Sequence, residues 1–482
     1  MLENYEPKTV LKFFEEISKI PRGSGNEKGI SDWLVAFAKA RGLWAHQDKA
    51  FNVVVKKPGT KGLENAPTVI IQGHTDMVCE KNAATKHDFE KDPLQLTVDG
   101  DFLKARGTTL GADNGAAVVM ALALLDSKDI PHPPIEALFT AGEEIGLIGA
   151  GALDGSLLKG RILLNIDSEE EGIFFASCAG GGRADLSYPI EYCDVPSGFL
   201  AKTLVVRGLK GGHSGLEITQ ERGNSCRILA RILRILQTKF AVQFTDIGGG
   251  SKHNAIPRES QAVIVFDAAK EKEIASEVAG IEAAFKREFS MSDAGLTIGL
   301  ETCGNAVKKM FAQKLCKNLV TALLTIPNGV EAMSLAIEGL PETSLNIGVI
   351  TTTEKEVVLT CSLRSSVVSR KEMLAEQLRI VSETTGATIA LSGFYPAWEY
   401  DNDSPLRKKA MRIFKEMFGK EAEVSGTHGG LECGIFCEKL DGVDIISFGP
   451  NIYNAHTPDE KMSLSSFKRM WDFLQKLLAQ AA

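Results

Sequence analysis

The sequence predicts an α/β fold: a mostly parallel sheet with helices on both faces, interrupted by an inserted α+β domain. Three observations lead there. Short apolar runs rich in branched residues alternate with helical stretches over the first third of the chain, and a parallel sheet buried on both faces needs that alternation. From about residue 190 the order changes to consecutive strands mixed with longer helices, which suggests hairpins. After about residue 399 the first pattern returns. The expected organisation is therefore a domain split into 1–188 and 399–482, with 189–398 inserted.

Taken in order, residues 7–20 read as an amphipathic helix ended by Pro21, and 31–40 as a second after the Gly-Ser-Gly turn at Gly23–Gly25. Residues 51–56 and 68–72 read as strands, and 116–125 as an apolar helix beginning after Asp113-Asn-Gly. The runs 135–140 and 161–166 read as buried strands. In the middle region, strands are expected at 203–206, 262–267, 296–301, 345–351 and 356–363, with helices at 222–237, 270–289, 311–324 and 370–384. That pattern occurs twice, as an internal duplication would give. A strand at 445–448 and an amphipathic helix at 465–478, with Phe467, Trp471, Leu474 and Leu478 on one face, close the chain.

Composition bounds the function. The 482 residues allow two domains with real cores, 44% hydrophobic and 24% charged residues are ordinary for a globular protein, and the net charge of −8 argues against nucleic-acid binding. No apolar run approaches the ~20 residues of a membrane span, and the N-terminus has no basic start followed by an apolar stretch. The nine cysteines are scattered; Cys433 and Cys437 are four apart, but no second pair completes a zinc cluster. Free thiols in a reducing cytoplasm are expected.

The chemistry is carried by polar turns, most of them following apolar runs. Glu143 and Glu144 stand side by side in Thr140-Ala-Gly-Glu-Glu-Ile-Gly; His74 and Asp76 lie in Gln72-Gly-His-Thr-Asp-Met; Asp113, Asp167 and His456 lie in Leu110-Gly-Ala-Asp-Asn-Gly, Asn165-Ile-Asp-Ser-Glu and Asn454-Ala-His-Thr-Pro. In a parallel sheet such turns meet beyond the carboxyl ends of the strands. Two histidines with several carboxylates suit two divalent metals sharing a carboxylate; zinc accepts these donors, and manganese and cobalt are compatible. Two such metals, ~3.5–4 Å apart, hold a water between them, and a neighbouring carboxylate takes its proton. No serine or cysteine nucleophile is needed.

Each motif alone has a plainer reading. A strand-end histidine is usually a satisfied polar group, Asp113-Asn114 suits a helix cap, and adjacent glutamates are commonly solvated. Their joint occurrence at successive strand ends is what capping does not explain. His46, His87 and His132 lack such contexts and are assigned to structure or solvent. Gly212-His-Ser-Gly fails as a nucleophile elbow because residue 216 is Leu. The glycine runs at Gly23 and Gly149 place their third glycine one position too late for a dinucleotide fingerprint.

The motifs Gly73-His-Thr-Asp, Gly111-Ala-Asp-Asn-Gly, Gly142-Glu-Glu-Ile-Gly, Asn165-Ile-Asp and Ala455-His-Thr, in this order, resemble those of the co-catalytic zinc peptidases, which include carnosinase, carboxypeptidase G and bacterial dipeptidases. The likeness covers essentially the whole chain. It implies that His74 and Asp167 bind one metal, that Glu144 and His456 bind the other, and that Asp113 bridges both. Glu143 is then the general base, and Asp76 orients His74. The inserted region is implied to be a lid. Its Lys210-Gly-Gly-His-Ser-Gly matches the motif whose histidine, here His213, polarises the scissile carbonyl. Arg364, in Cys361-Ser-Leu-Arg-Ser-Ser, matches the arginine that grips a terminal carboxylate, with Asn254 and Gly430 as further substrate contacts. The implied activity is hydrolysis of unblocked dipeptides, Xaa-His among them, by a homodimer with two divalent metals per subunit; deacylation of N-acyl amino acids is the alternative. Thr427-His-Gly-Gly-Leu-Glu-Cys departs from carnosinase's own pattern, so that enzyme's substrate preference does not carry over.

Overall fold

A computed structural model describes residues 2–304 and 306–480. The chain divides into two compact units: Met1–Cys178 with Trp398–Gly426 and Leu431–Ala482, and Ala179–Ala397 with Thr427–Gly430.

The first unit is built on an eight-stranded sheet in the order Trp44–Gln47, Val53–Lys57, Ile135–Thr140, Val69–His74, Ile162–Asn165, Asp444–Ser447, Ile173–Cys178, Glu423–Thr427. The four consecutive strands from Ile135–Thr140 to Asp444–Ser447 are parallel. Val53–Lys57 and Trp44–Gln47 extend one side antiparallel. Ile173–Cys178 joins Asp444–Ser447 on the other, also antiparallel. Successive side chains of a strand point to opposite faces, and here both faces are covered. Val69, Ile71, Ile135, Ala137, Phe139, Leu164 and Ile446 pack under the helices Lys8–Ile17, Lys28–Ala40, Ala112–Asp126, Pro405–Phe418 and Leu464–Ala479. Ile70, Leu138, Leu163 and Ile445 pack on the other face with Ala150, Cys433, Phe436 and Leu440, from the short helices Ile148–Ala152 and Glu432–Lys439 and the residue that follows. Burial on both faces explains why these strands read as unbroken apolar runs.

The second unit is a nine-stranded sheet with the order Thr297–Thr302, Phe199–Arg207, Ser260–Asp267, Gln243–Gly249, Pro341–Thr352, Glu356–Ser365, Gly180–Pro189, Thr388–Tyr395, and Gly329–Met333 paired to Pro341–Thr352. All its strand pairs are antiparallel. It is two copies of one pattern. Numbered along the chain, the four strands from Phe199–Arg207 to Thr297–Thr302 lie side by side as 2-3-1-4. Gly180–Pro189, Pro341–Thr352, Glu356–Ser365 and Thr388–Tyr395 do the same. In each half a helix follows the first strand and another follows the third: Ser225–Phe240 and Glu271–Glu288, then Gln313–Thr325 and Val368–Thr385. This is the doubled pattern read in the sequence, with one half inserted into the other.

The expected boundary at 188/189 falls one strand late. Gly180–Pro189 pairs along its whole length with Glu356–Ser365 and further with Thr388–Tyr395, so it belongs to the second unit. The sequence changes character only where this strand ends. Residues 427–430 also group with the second unit, inside the segment expected to be continuous from 399 to 482.

Candidate active site

The parallel strands deliver their polar turns to one end of the sheet. His74 is the last residue of Val69–His74; Glu143 and Glu144 follow Ile135–Thr140; Asp167 follows Ile162–Asn165; and His456 lies in the chain after Asp444–Ser447. Asp113 stands in the first turn of the helix Ala112–Asp126.

These residues converge around one carboxylate. Asp113 Oδ1 lies 3.1 Å from His74 Nε2, and Asp113 Oδ2 lies 3.0 Å from His456 Nε2. Asp167 Oδ1 is 3.6 Å from His74 Nε2, and Glu144 Oε1 is 3.1 Å from His456 Nε2. Three donor groups result, His74–Asp113–Asp167, Asp113–Glu144–His456 and His74–Glu143–Glu144, and within each the ligand atoms lie within 4.8 Å of one another. The first two share Asp113. The cluster is lopsided: the side chain of His74 is 2% exposed and that of His456 51%, so it opens to solvent on the His456 side.

Buried groups from inside and outside the motifs hold this arrangement. Asp76 Oδ1 is 3.4 Å from His74 Nδ1. The same carboxylate accepts from the backbone N–H of Glu143 (3.0 Å) and Glu144 (3.2 Å) and from Ser24 Oγ (2.8 Å). One buried aspartate therefore orients an imidazole and pins the glutamate turn, the support that ligand side chains need. Glu460 does the corresponding work for Asp113: its carboxylate accepts from the N–H groups of Leu110, Gly111, Ala112 and Asp113 at 2.7–3.3 Å. Buried Arg22 donates to the carbonyls of Thr75 (3.0 Å) and Gly111 (2.5 Å), tying the His74 and Asp113 turns together. Glu432 accepts from Gln72 Nε2 (2.6 Å) and Thr140 Oγ1 (2.8 Å), and Gln72 in turn accepts from Asn165 Nδ2 (2.5 Å), which links three strand ends. Sequence reading missed Arg22, Glu432 and Glu460. None lies in a strand-end turn, and only the repeated density of acids near motif residues hinted at the two glutamates.

The electrostatics ask for cations. Burial pushes Glu143 up to about 8, with the His74 imidazole opposing and the charges of Glu432, Glu144 and Asp113 adding to the rise. Burial likewise raises Asp167 well above the carboxylate range and Glu432 to about 7. Asp113 moves the other way: burial acts against its charge, but hydrogen bonds from His456 and His74 outweigh it. His456, bonded to Asp113 and Glu144, rises to about 11. Without cations the cluster must recruit protons to offset its crowded carboxylates. Two imidazole nitrogens and at least four carboxylates fit a pair of divalent metals in both donor type and charge.

In the second unit, His213 pairs through Gly212–His213 with Ala255–Ile256. Its Nδ1 accepts from the N–H groups of Gly215 (3.2 Å) and Leu216 (3.0 Å). An accepting Nδ1 carries no proton, so the neutral ring bears its hydrogen on Nε2. Burial, then the charge of Arg364, lowers the pKa of this ring and keeps it neutral. Arg364 is buried and has no carboxylate partner among the described residues; its Nη1 donates to Tyr395 Oη (3.0 Å) and the His428 carbonyl (3.4 Å). A Cβ built on Gly215 would lie 3.0 Å from His213 Cε1 and 3.2 Å from Arg364 Cζ, so these two groups are neighbours. Asn254 enters through its backbone, its carbonyl accepting from Ser214 N (2.9 Å). Gly430 packs against the Tyr395 ring. His428, absent from the candidates, is buried and bonded to Ser344 Oγ (2.7 Å). Burial and the Arg364 charge push it down to about 3. His46 stacks on Trp44, His87 meets Phe89 edge-on, and His132 is buried against the Pro133 carbonyl, in keeping with structural roles.

Residues 70–480 match the model of a protein family described as peptidase family M20/M25/M40. The chain belongs to that family. It is 37% identical, over 99% of both chains, to the cytosol non-specific dipeptidase of Escherichia coli (strain K12). It superimposes with a TM-score of 0.94 on the crystal structure of aminoacylhistidine dipeptidase from Vibrio alginolyticus, at 38% identity and covering 99% of this chain and 97% of that one. A tripeptidase from Staphylococcus aureus shares the fold, with a TM-score of 0.57 and 17% identity over 99% of each chain. Every candidate site residue of this peptidase family member lies within the matched region. No helix among its described residues is long and apolar enough to cross a membrane.

Two predictions follow from these supports. Glu460→Ala frees four N–H groups in the Asp113 turn and should weaken metal binding by roughly 10–100-fold, read by competition with a chelator; unchanged affinity would exclude that role. For His428, the folded pKa of about 3 lies below the ordinary histidine value of ~6.5. As pH falls from ~6.5 toward 3 the unfolded chain takes a proton that the folded chain refuses, so stability is lost across that window. Denaturant unfolding at pH 6 and pH 5 should show the unaltered peptidase losing about 1.4 kcal/mol more than His428→Asn.

Proposed function

We propose that this chain is a two-metal dipeptidase cleaving unblocked dipeptides, Xaa-His among them. The observation that carries this is Asp113, which presents one carboxylate oxygen to each imidazole while Glu143 stands beside the same cluster. In this reading His74 and Asp167 would hold one metal, Glu144 and His456 the other, and Asp113 would be shared between the two groups. Zinc is the metal assigned, with manganese and cobalt equally served by nitrogen and oxygen donors. When bound, the metals polarise the scissile carbonyl and lower the pKa of the attacking water.

The remaining steps belong to the protein. Glu143, beside the cluster, takes the proton of the attacking water and returns it to the leaving amine. Asp76 keeps the His74 ring in place and the Glu143 turn in register. The Nε2–H of neutral His213 donates to the carbonyl oxygen as it gains charge. Arg364, a buried cation with no carboxylate partner among the described residues, takes the substrate's terminal carboxylate through its planar fork. Asn254 shapes the turn that carries His213, and Gly430 leaves room for the ring beside Arg364. The names of the Escherichia coli and Vibrio relatives support the dipeptide substrate and, for the former, a cytoplasmic setting. A homodimeric state is carried from the family resemblance.

Glu143→Ala should lower kcat by about 10²–10⁴-fold while metal content stays near normal, measured by dipeptide turnover and by metal analysis of the same preparation. The unaltered protein, reconstituted with zinc, manganese or cobalt, should cleave unblocked dipeptides and leave N-acetyl amino acids intact. Preferential deacylation would replace this reading with the acyl-amino-acid one, and full activity of Glu143→Ala would remove it as the base.

A further inference from the structure

The structure assigns to Tyr395 the task of aiming Arg364, with Gly181 as the residue that makes room for it; this deepens the dipeptidase reading and rests on it. Three adjacent strands place the three residues in one row. Arg364 on Glu356–Ser365 stands opposite Gly181 on Gly180–Pro189, and Gly181 stands opposite Tyr395 on Thr388–Tyr395. Directly opposed residues share a face of the sheet. Any side chain at position 181 would separate the outer two: a Cβ there would lie 2.4 Å from Tyr395 Oη and 2.5 Å from its Cζ. With glycine between them, the phenol lies across the middle strand and accepts from Arg364 Nη1 at 3.0 Å.

Three further features support the placement. The register of Thr388–Tyr395 shifts between Ser392 and Tyr395, an irregularity of the kind that re-aims a side chain. Buried Lys371 donates to the Tyr395 carbonyl at 2.7 Å and holds that residue's backbone. The other side of the ring is walled by Gly430, where a Cβ would lie 2.8 Å from Tyr395 Cε2.

The consequence concerns which edge of the guanidinium is free. Nη1 is taken by the phenol and by the His428 carbonyl. Nε is buried and without a partner, and Nη2 makes no hydrogen bond among the described residues. The Nε–Nη2 edge presents two parallel donors, the arrangement that receives a carboxylate bidentately. Tyr395 is therefore a positioning residue. It selects the free edge and, by restraining the arginine beforehand, reduces the entropy lost on binding.

The test compares Tyr395→Phe and Gly181→Ala with the unaltered enzyme, on Ala-His and on its C-terminal amide. Phenylalanine keeps the ring and removes only the hydroxyl. The expected result is a KM for Ala-His raised about tenfold in Tyr395→Phe with kcat within about twofold. The preference for the free carboxylate over the amide should fall by a similar factor, and Gly181→Ala should shift both quantities in the same direction. If the unaltered enzyme cleaves Ala-His and Tyr395→Phe matches it in KM and in carboxylate preference, the positioning role is wrong and the dipeptidase reading stands. If the unaltered enzyme cleaves no unblocked dipeptide, both readings fall.

Discussion

A single carboxylate, Asp113, faces two imidazoles, and the rest of the first unit is arranged to make that contact possible. Its two oxygens lie 3.1 Å from His74 and 3.0 Å from His456, residues that stand 382 positions apart in the chain. Such a contact demands that strands from both ends of the sequence lie in one sheet and run the same way. The parallel pairing of Ile162–Asn165 with both Val69–His74 and Asp444–Ser447 meets that demand. The cost is a high density of negative charge in a largely buried place that opens to solvent only on the His456 side. Burial raises Glu143 and Asp167 in proton affinity, so the protein alone cannot keep all its acids ionised. Divalent cations, if bound there, would relieve the same repulsion and stabilise the folded unit.

Around this contact the structure spends its buried polar groups on geometry. Asp76, Arg22, Glu460 and Glu432 each bind backbone or side chains of the turns that carry the ligands. A buried charge without partners is costly, and each of these groups bonds the turn it organises, with Arg22 Nε and Glu432 Oε1 left without a hydrogen bond. The arrangement also couples the ligands to one another. Asp76 touches both the His74 ring and the Glu143–Glu144 backbone, so a change at His74 is transmitted to the glutamate turn.

The second unit groups a buried arginine and a neutral imidazole instead of carboxylates. Its doubled antiparallel sheet brings Arg364, Gly181 and Tyr395 into one row across neighbouring strands. The His213 turn adds a neutral imidazole whose proton is directed to Nε2 by two backbone N–H groups. In the proposed reading, a cation without a carboxylate partner among the described residues and an N–H donor would meet the carboxylate and the carbonyl of a dipeptide.

Sequence alone determined much of this. The period and length of apolar runs located the strands 68–72, 135–140 and 161–166 to within a few residues, because burial on both faces imposes continuous apolarity. The residues that cluster around Asp113 were legible because metal chemistry restricts candidates to His, Asp and Glu, and strand-end turns restrict where they stand. The first domain boundary was not legible, since Gly180–Pro189 carries a pattern that suits either sheet and only its pairing with Glu356–Ser365 assigns it. Nor were Glu460, Arg22 and Tyr395 legible. Their importance lies in what they touch across long separations, as when Glu460 meets the N–H groups of residues 110–113. Local periodicity and residue type record what a segment needs from its surroundings, burial or water. Which distant segment supplies it is decided by packing, and that information exists only once the chain has closed on itself.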